Sequence, residues 1–165
     1  MQHTGVCPLG GGIAGFFAQF ALRTDRGVFG YDRIDAGTAL VALSAVQSSD
    51  GALAPLDAVA RAAGAHGVDV LVDLTQAAGW LPVDAGRFAY TVCAAYKWLL
   101  APRGTGFLTV RPDRLDTLVP ASAGWYAGEE RWSSIYGLPL RLARDARRFD
   151  VSPGWQAWVG TEASL

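Results

Sequence analysis

VDLTQAAGWLPVDAGRFAYTVCAAYKWLLAPRGTGF, residues 72–107, sets an aspartate at the end of one apolar run and a lysine inside another. Asp73 closes an apolar run over residues 70–72. Lys97 lies between Tyr96 and Trp98, with Leu99 and Leu100 beyond. Taking a carboxylate or an amine out of water costs free energy unless the group is paired or used. The scaffold around these two groups therefore decides how the chain is read.

Working outward, residues 39–46 (ALVALSAV) form a short apolar run of strand length, and residues 47–51 (QSSDG) read as a loop. Pro55 suits a first helical turn, with Leu56, Val59, Ala60 and Ala63 following at helical spacing and Gly64 and Gly67 at the helix end. Residues 68–72 are then a second strand. Strand, helix, strand, with both strands apolar on both faces, predicts a βαβ unit and a parallel sheet. Beyond it, residues 79–82 turn the chain, and residues 90–94 and 106–110 read as third and fourth strands. The Pro- and Gly-rich turn 101–106 separates them. A short helix is expected over residues 111–118, a long aromatic-rich loop over 120–150, and a final helix start with Ser152 as N-cap and Pro153 at the first position.

Composition supports a packed globular protein. Hydrophobic residues make up 51% and charged residues 18%, unlike a disordered chain. The net charge of −1, with the two signs interspersed, gives no footprint for nucleic acid or an anionic membrane. Cys7 and Cys93 do not make a disulfide framework, and neither they nor His3 and His66 have metal-ligand spacing. A reducing, cytoplasmic setting fits best. Residues 6–22 are uncharged but interrupted by four glycines and Gln19, and fall short of a membrane span. Their Gly-Gly-Gly and following apolar residues suggest a loop and a short buried helix, without the pattern of a phosphate-binding loop.

In an open α/β sheet, ligands bind beyond the carboxyl ends of the strands. Gln47, Asp73 and Lys97 each lie at or just past such an end, so three polar groups converge on one rim. A lysine among aromatic and aliphatic neighbours is expected to be partly desolvated, which makes its amine nucleophilic and able to form Schiff bases. A carboxylate on the same rim can pair with a protonated pyridine nitrogen, the pairing pyridoxal phosphate needs to act as an electron sink. An aspartate at a strand end also serves simply to start a loop, and a lysine beside aromatics can pack its stem and hold its head in water. The pattern alone leaves both readings open.

The joined segments VDLTQAAGWLPVDA and YTVCAAYKWLLAPRGTGFLTV resemble the class V aminotransferase family. These are PLP-dependent enzymes of fold type I that include cysteine desulfurases, kynureninases and isopenicillin N epimerase-like proteins. The family pattern is a strand ending in D-x-x-Q, then an S/Y-H/Y-K element leading to a G-P-x-G-x-G turn. Asp73 and Gln76 match the first part, Lys97 and residues 102–106 the second. The resemblance covers about residues 35–165. It implies that Lys97 holds pyridoxal 5'-phosphate as a Schiff base and later moves the proton at the substrate alpha carbon. It further implies that Asp73 pairs with the pyridinium nitrogen and that Gln76 hydrogen-bonds the phenolic oxygen. Tyr96 would reach the phosphate, Gln47 would contact cofactor or substrate, and Thr105 would contact a phosphate across a homodimer interface. Ala94 departs from the pattern, standing where many relatives carry a phosphate-binding Ser or Thr.

The fold class implied is α/β: part of a fold type I large domain, a mainly parallel sheet flanked by helices, without the small C-terminal domain. Residues 1–33 are an unassigned leader and residues 34–165 part of the PLP-binding large domain. Relatives are of two-domain size. Nothing in residues 1–33 visibly supplies the phosphate loop or the aromatic that stacks on the pyridine ring, and Arg103, Arg141 and Arg148 do not take the place of the arginine for the substrate carboxylate. The expected function is a truncated PLP enzyme acting on an amino acid by transamination, elimination or desulfuration, or epimerisation. The alternatives are an inactive remnant serving as a binding or dimerisation module, and a small α/β binding domain without the cofactor.

Overall fold

A computed structural model describes residues 6–8, 34–136, 138–152 and 154–165. Strand β1 is Val6–Pro8, β2 Leu40–Ser44, β3 Asp69–Asp73, β4 Tyr90–Ala94 and β5 Gly106–Val110; helix α1 is Leu56–Ala65 and α2 Trp155–Ser164. They build one five-stranded sheet in the order β1-β5-β4-β3-β2. β2, β3 and β4 run parallel, as the βαβ reading predicts. β5 is antiparallel to β4, and β1 antiparallel to β5. The reversal at β5 has a simple cause: the link from β4 is shorter than the dozen or more residues a parallel crossover takes. β1 falls within the stretch expected to be an unassigned leader. The glycine-rich loop and helix expected over residues 10–22 lie outside the described residues.

Alternation along the strands divides the core. Val41, Leu43, Val70, Val72 and Cys93 point to one face, where α1 covers them with Val59 and Ala63. Leu71, Tyr90, Val92 and Val110 point to the other, against Ala146 and Phe149 of the 3-10 turn Ala146–Phe149. β4 is buried along its whole length and β3 at its three central residues, as expected of strands covered on both sides.

α1 ends in a Schellman motif: Val68 N–H donates to Ala63 O (2.9 Å) and Gly67 N–H to Gly64 O (3.3 Å). Gly67, at φ +66°, is the residue that permits this left-handed exit, whereas Gly64 lies inside the helix. The short helix after β5 is a 3-10 helix, Pro112–Thr117. α2 departs from expectation at its start. Gly154, not Ser152, is the N-cap, with no side-chain cap bond. Gly124 N–H donates to Asp150 O, and the backbone at Ser152 packs closely on Gly124. Pro153 lies outside the described residues.

The aromatic-rich segment is ordered by one arginine. The Arg147 guanidinium donates to the carbonyls of Tyr126 (3.1 Å), Gly128 and Glu129 (3.2 Å). Trp125, Tyr126, Trp132 and Trp155 meet edge-on or tilted around the same turn. No helix among the described residues is long and apolar enough to cross a membrane.

Candidate active site

Register aligns three strand ends. Ser44 lies opposite Asp73, and Asp73 opposite Val92. Backbone bonds carry the alignment past the strands: Ala45 N–H donates to Asp73 O (2.9 Å) and Leu74 N–H to Val92 O (2.7 Å). The polar residues that follow each strand are thereby brought to one rim.

Asp73 is half-buried, and its carboxylate accepts from Thr75 N–H at 2.8 Å. Thr75 Oγ1 in turn accepts from Ala94 N–H (2.9 Å), so a single turn ties β3 to the end of β4. Cys93, 7% exposed, reports on this neighbourhood. Burial first, and the nearby Asp73 charge second, push its thiol up to about 11.

Gln76 is the junction of the rim. Its Nε2 donates to Ser48 Oγ (3.0 Å), its Oε1 accepts from Trp98 Nε1 (3.1 Å), and its backbone carbonyl accepts from Trp80 Nε1 (2.8 Å). The two indoles meet edge to face at 6.4 Å. Gly79, at φ +103°, packs against Trp98 O; a Cβ there would come within 2.8 Å. The turn after Asp73 and the segment carrying Lys97 are interlocked through these contacts.

Lys97 sits in a tight loop closed by Leu100 N–H to Lys97 O (3.0 Å) and Ala101 N–H to Ala95 O (3.1 Å). Leu100, at φ +58°, is the described non-glycine residue in left-handed backbone, a strain of the kind that gathers at functional sites. The expected desolvation of Lys97 is absent. Its side chain is exposed, because the flanking Trp98 bonds Gln76 and stays 57% exposed itself. Lys97 Nζ lies 5.6 Å from the centroid of the Tyr96 ring, which also carries the Arg103 guanidinium at 4.2 Å. Neither cation forms an ion pair among the described residues.

The other expected residues divide. Gln47 turns its amide oxygen back onto Ser48 N–H (2.9 Å), and the neighbouring Ser48 makes the contact to Gln76 instead. Thr105 is 2% exposed, and its hydroxyl meets Thr161 Oγ1 of α2 at 3.0 Å, turned into the protein. Ser48, Thr75, Trp80 and Trp98 were not singled out from sequence. Only the proximity of Trp98 to Lys97 and of Thr75 to Asp73 could have pointed to them.

Chemically, the rim offers an acid that can hold a proton on a ring nitrogen, an unpaired amine that can take a carbonyl, and an amide N–H for an oxygen. That donor set fits an aromatic aldehyde with a basic ring nitrogen.

The family model described as Aminotransferase class-V matches residues 30–135. Isopenicillin N epimerase of Streptomyces clavuligerus is 33% identical over 140 residues, 78% of this chain and 34% of the epimerase. Among solved structures, the cystine C-S lyase C-DES in complex with its reaction product cysteine persulfide matches at 29% identity and a TM-score of 0.70. That match covers 81% of this chain and 36% of the lyase. A mutant of the same lyase with glycine covalently linked to its PLP cofactor matches equally well, at 28% identity and a TM-score of 0.70 over the same shares. The chain spans about a third of the length of these relatives.

Proposed function

Because the chain belongs to the class V aminotransferase family, a family of PLP-dependent enzymes, we propose that it holds pyridoxal 5'-phosphate on Lys97 and acts on an amino acid. The observation that carries this reading is the alignment of the β2, β3 and β4 ends, which gathers Asp73, Gln76 and Lys97 on one rim. The relative solved with its cofactor linked to glycine supports it. Bound there, the cofactor supplies an electron sink for the bonds of the amino-acid alpha carbon.

Lys97 Nζ would hold the cofactor through its aldehyde carbon, with loss of water, and would serve as the group that moves the alpha proton. The Asp73 carboxylate, steadied by Thr75 N–H, would keep the proton on the pyridine nitrogen. Gln76 Nε2 would donate to the phenolic oxygen, and the Tyr96 hydroxyl would reach the phosphate. Thr75 Oγ1 accepts from Ala94 N–H, while the Ala94 side chain offers the phosphate no hydroxyl. The reaction is transamination, elimination or desulfuration, or epimerisation, and substrate capture draws on residues other than those of the rim. In this reading residues 34–165 form part of the cofactor-binding large domain, and the protein works in the cytoplasm as a homodimer. Trp132, Tyr136 and Leu138 are large apolar or aromatic side chains left exposed.

Incubation with pyridoxal phosphate, borohydride reduction and peptide mapping test the reading. The expected label lies on Lys97 and is lost in Lys97→Ala. A label elsewhere, or none, refutes it.

A further inference from the structure

An indole N–H only donates, whereas a glutamine amide has one accepting and one donating end. The 3.1 Å contact between Trp98 Nε1 and Gln76 therefore requires the amide oxygen on that side. Nε2 then faces the other way, where one of its two N–H groups meets Ser48 Oγ at 3.0 Å. Turning the amide over would set NH2 against N–H and lose the Trp98 bond. The second N–H of Nε2 has no partner among the described residues. Trp80 does not share this role, since its Nε1 bonds the Gln76 backbone carbonyl and is indifferent to the amide's sense.

We propose that Trp98 is a positioning residue that locks the Gln76 amide with its NH2 toward the rim, so that Gln76 presents a donor and selects an oxygen acceptor. Resting on the cofactor reading above, that acceptor is the phenolic oxygen of pyridoxal phosphate. Trp98 thus acts through Gln76 and does not itself touch the ligand. The same bond fastens the residue after Lys97 to the turn after Asp73.

The test separates the lock from the cofactor. In the cofactor-free protein, the side-chain amide resonances of Gln76 should move toward free-amide values in Trp98→Phe and stay in place in Trp80→Phe. Independently, hydrogen exchange at the Trp98 indole N–H should accelerate in Gln76→Leu, a measurement that needs no change at Trp98. With pyridoxal phosphate, Trp98→Phe should weaken binding about three- to tenfold, the worth of one hydrogen bond, and add nothing in a Gln76→Leu background. Unmoved Gln76 resonances in Trp98→Phe, unchanged indole exchange in Gln76→Leu, or an undiminished Trp98 effect in the Gln76→Leu background each overturn the proposal. If the wild-type chain takes no cofactor on Lys97, the cofactor reading fails, and the two NMR measurements alone decide the lock.

Discussion

Iodoacetamide at pH 8 should leave Cys93 almost unmodified in the folded protein and label it readily once the chain is unfolded. The reactive species is the thiolate. At the ordinary value of 9.0 about a tenth of the thiol is ionised at pH 8; raised to about 11, about a thousandth is, a rate difference of about a hundredfold. Burial at 7% exposure slows access further. Peptide mapping by mass spectrometry separates Cys93 from Cys7. The second cause of the shift gives a second arm: Asp73→Asn removes the nearby charge and should bring the thiol part of the way back, with burial still holding it above 9.0. The same shift predicts a stability trend. Between pH 9 and 11 the folded state keeps a proton that the unfolded chain releases, so folding free energy falls as pH rises. The Cys93 contribution is whole below 9.0 and is lost through 11, at most about 3 kcal/mol. Urea unfolding of wild type and Cys93→Ala across that range isolates it, since other titrating groups cancel. Labelling of Cys93 in the folded chain at the unfolded rate, or identical pH slopes for the two proteins, would refute the account.

Three further outcomes are open to measurement. Thr75→Val leaves the buried Ala94 N–H without its acceptor and should destabilise the fold by about 1–3 kcal/mol in urea titration. Leu100→Gly should stabilise by about 1 kcal/mol, because the side chain is 78% exposed and its left-handed backbone is costly for any residue with a Cβ; thermal melting checks this. Gly79→Ala should displace Trp98, since the added Cβ meets its carbonyl and φ is +103°. The readout is a changed Trp98 indole resonance and a melting temperature lower by several degrees.

How much of this could be read in advance depends on what kind of physics set it. β3 and β4 were legible because burial on both faces leaves runs dominated by apolar residues, and Asp73 and Lys97 mark where those runs meet the rim. The exit from α1 was legible through Gly67, the residue whose conformation the turn demands. Lys97 departs from expectation because its apolar neighbours in sequence do not enclose it in space; Trp98 instead reaches across to Gln76 and leaves the amine in water. Ser48 joining Gln76 across 28 positions, and Thr105 turning inward to Thr161, depend on loops and on the docking of α2. No local period encodes either. The reversal of β5 was fixed by the length of its link to β4, yet strand direction leaves no mark in composition.

β3 reads DVLVD, with the same residue at both ends. At its entrance Asp69 is gripped by Arg114, whose Nε lies 2.9 and 2.8 Å from the two carboxylate oxygens, with Arg111 at 3.7 Å. At its exit Asp73 has a backbone N–H and no ion pair among the described residues. Two identical side chains thus serve opposite interests. Neutralising Asp69 should weaken the fold and spare the rim, while neutralising Asp73 should leave the fold intact or firmer and empty the rim of its purpose. A selection for thermal robustness alone would keep the first aspartate and erode the second, so the fate of this palindromic strand in evolved variants would tell which pressure the protein is under.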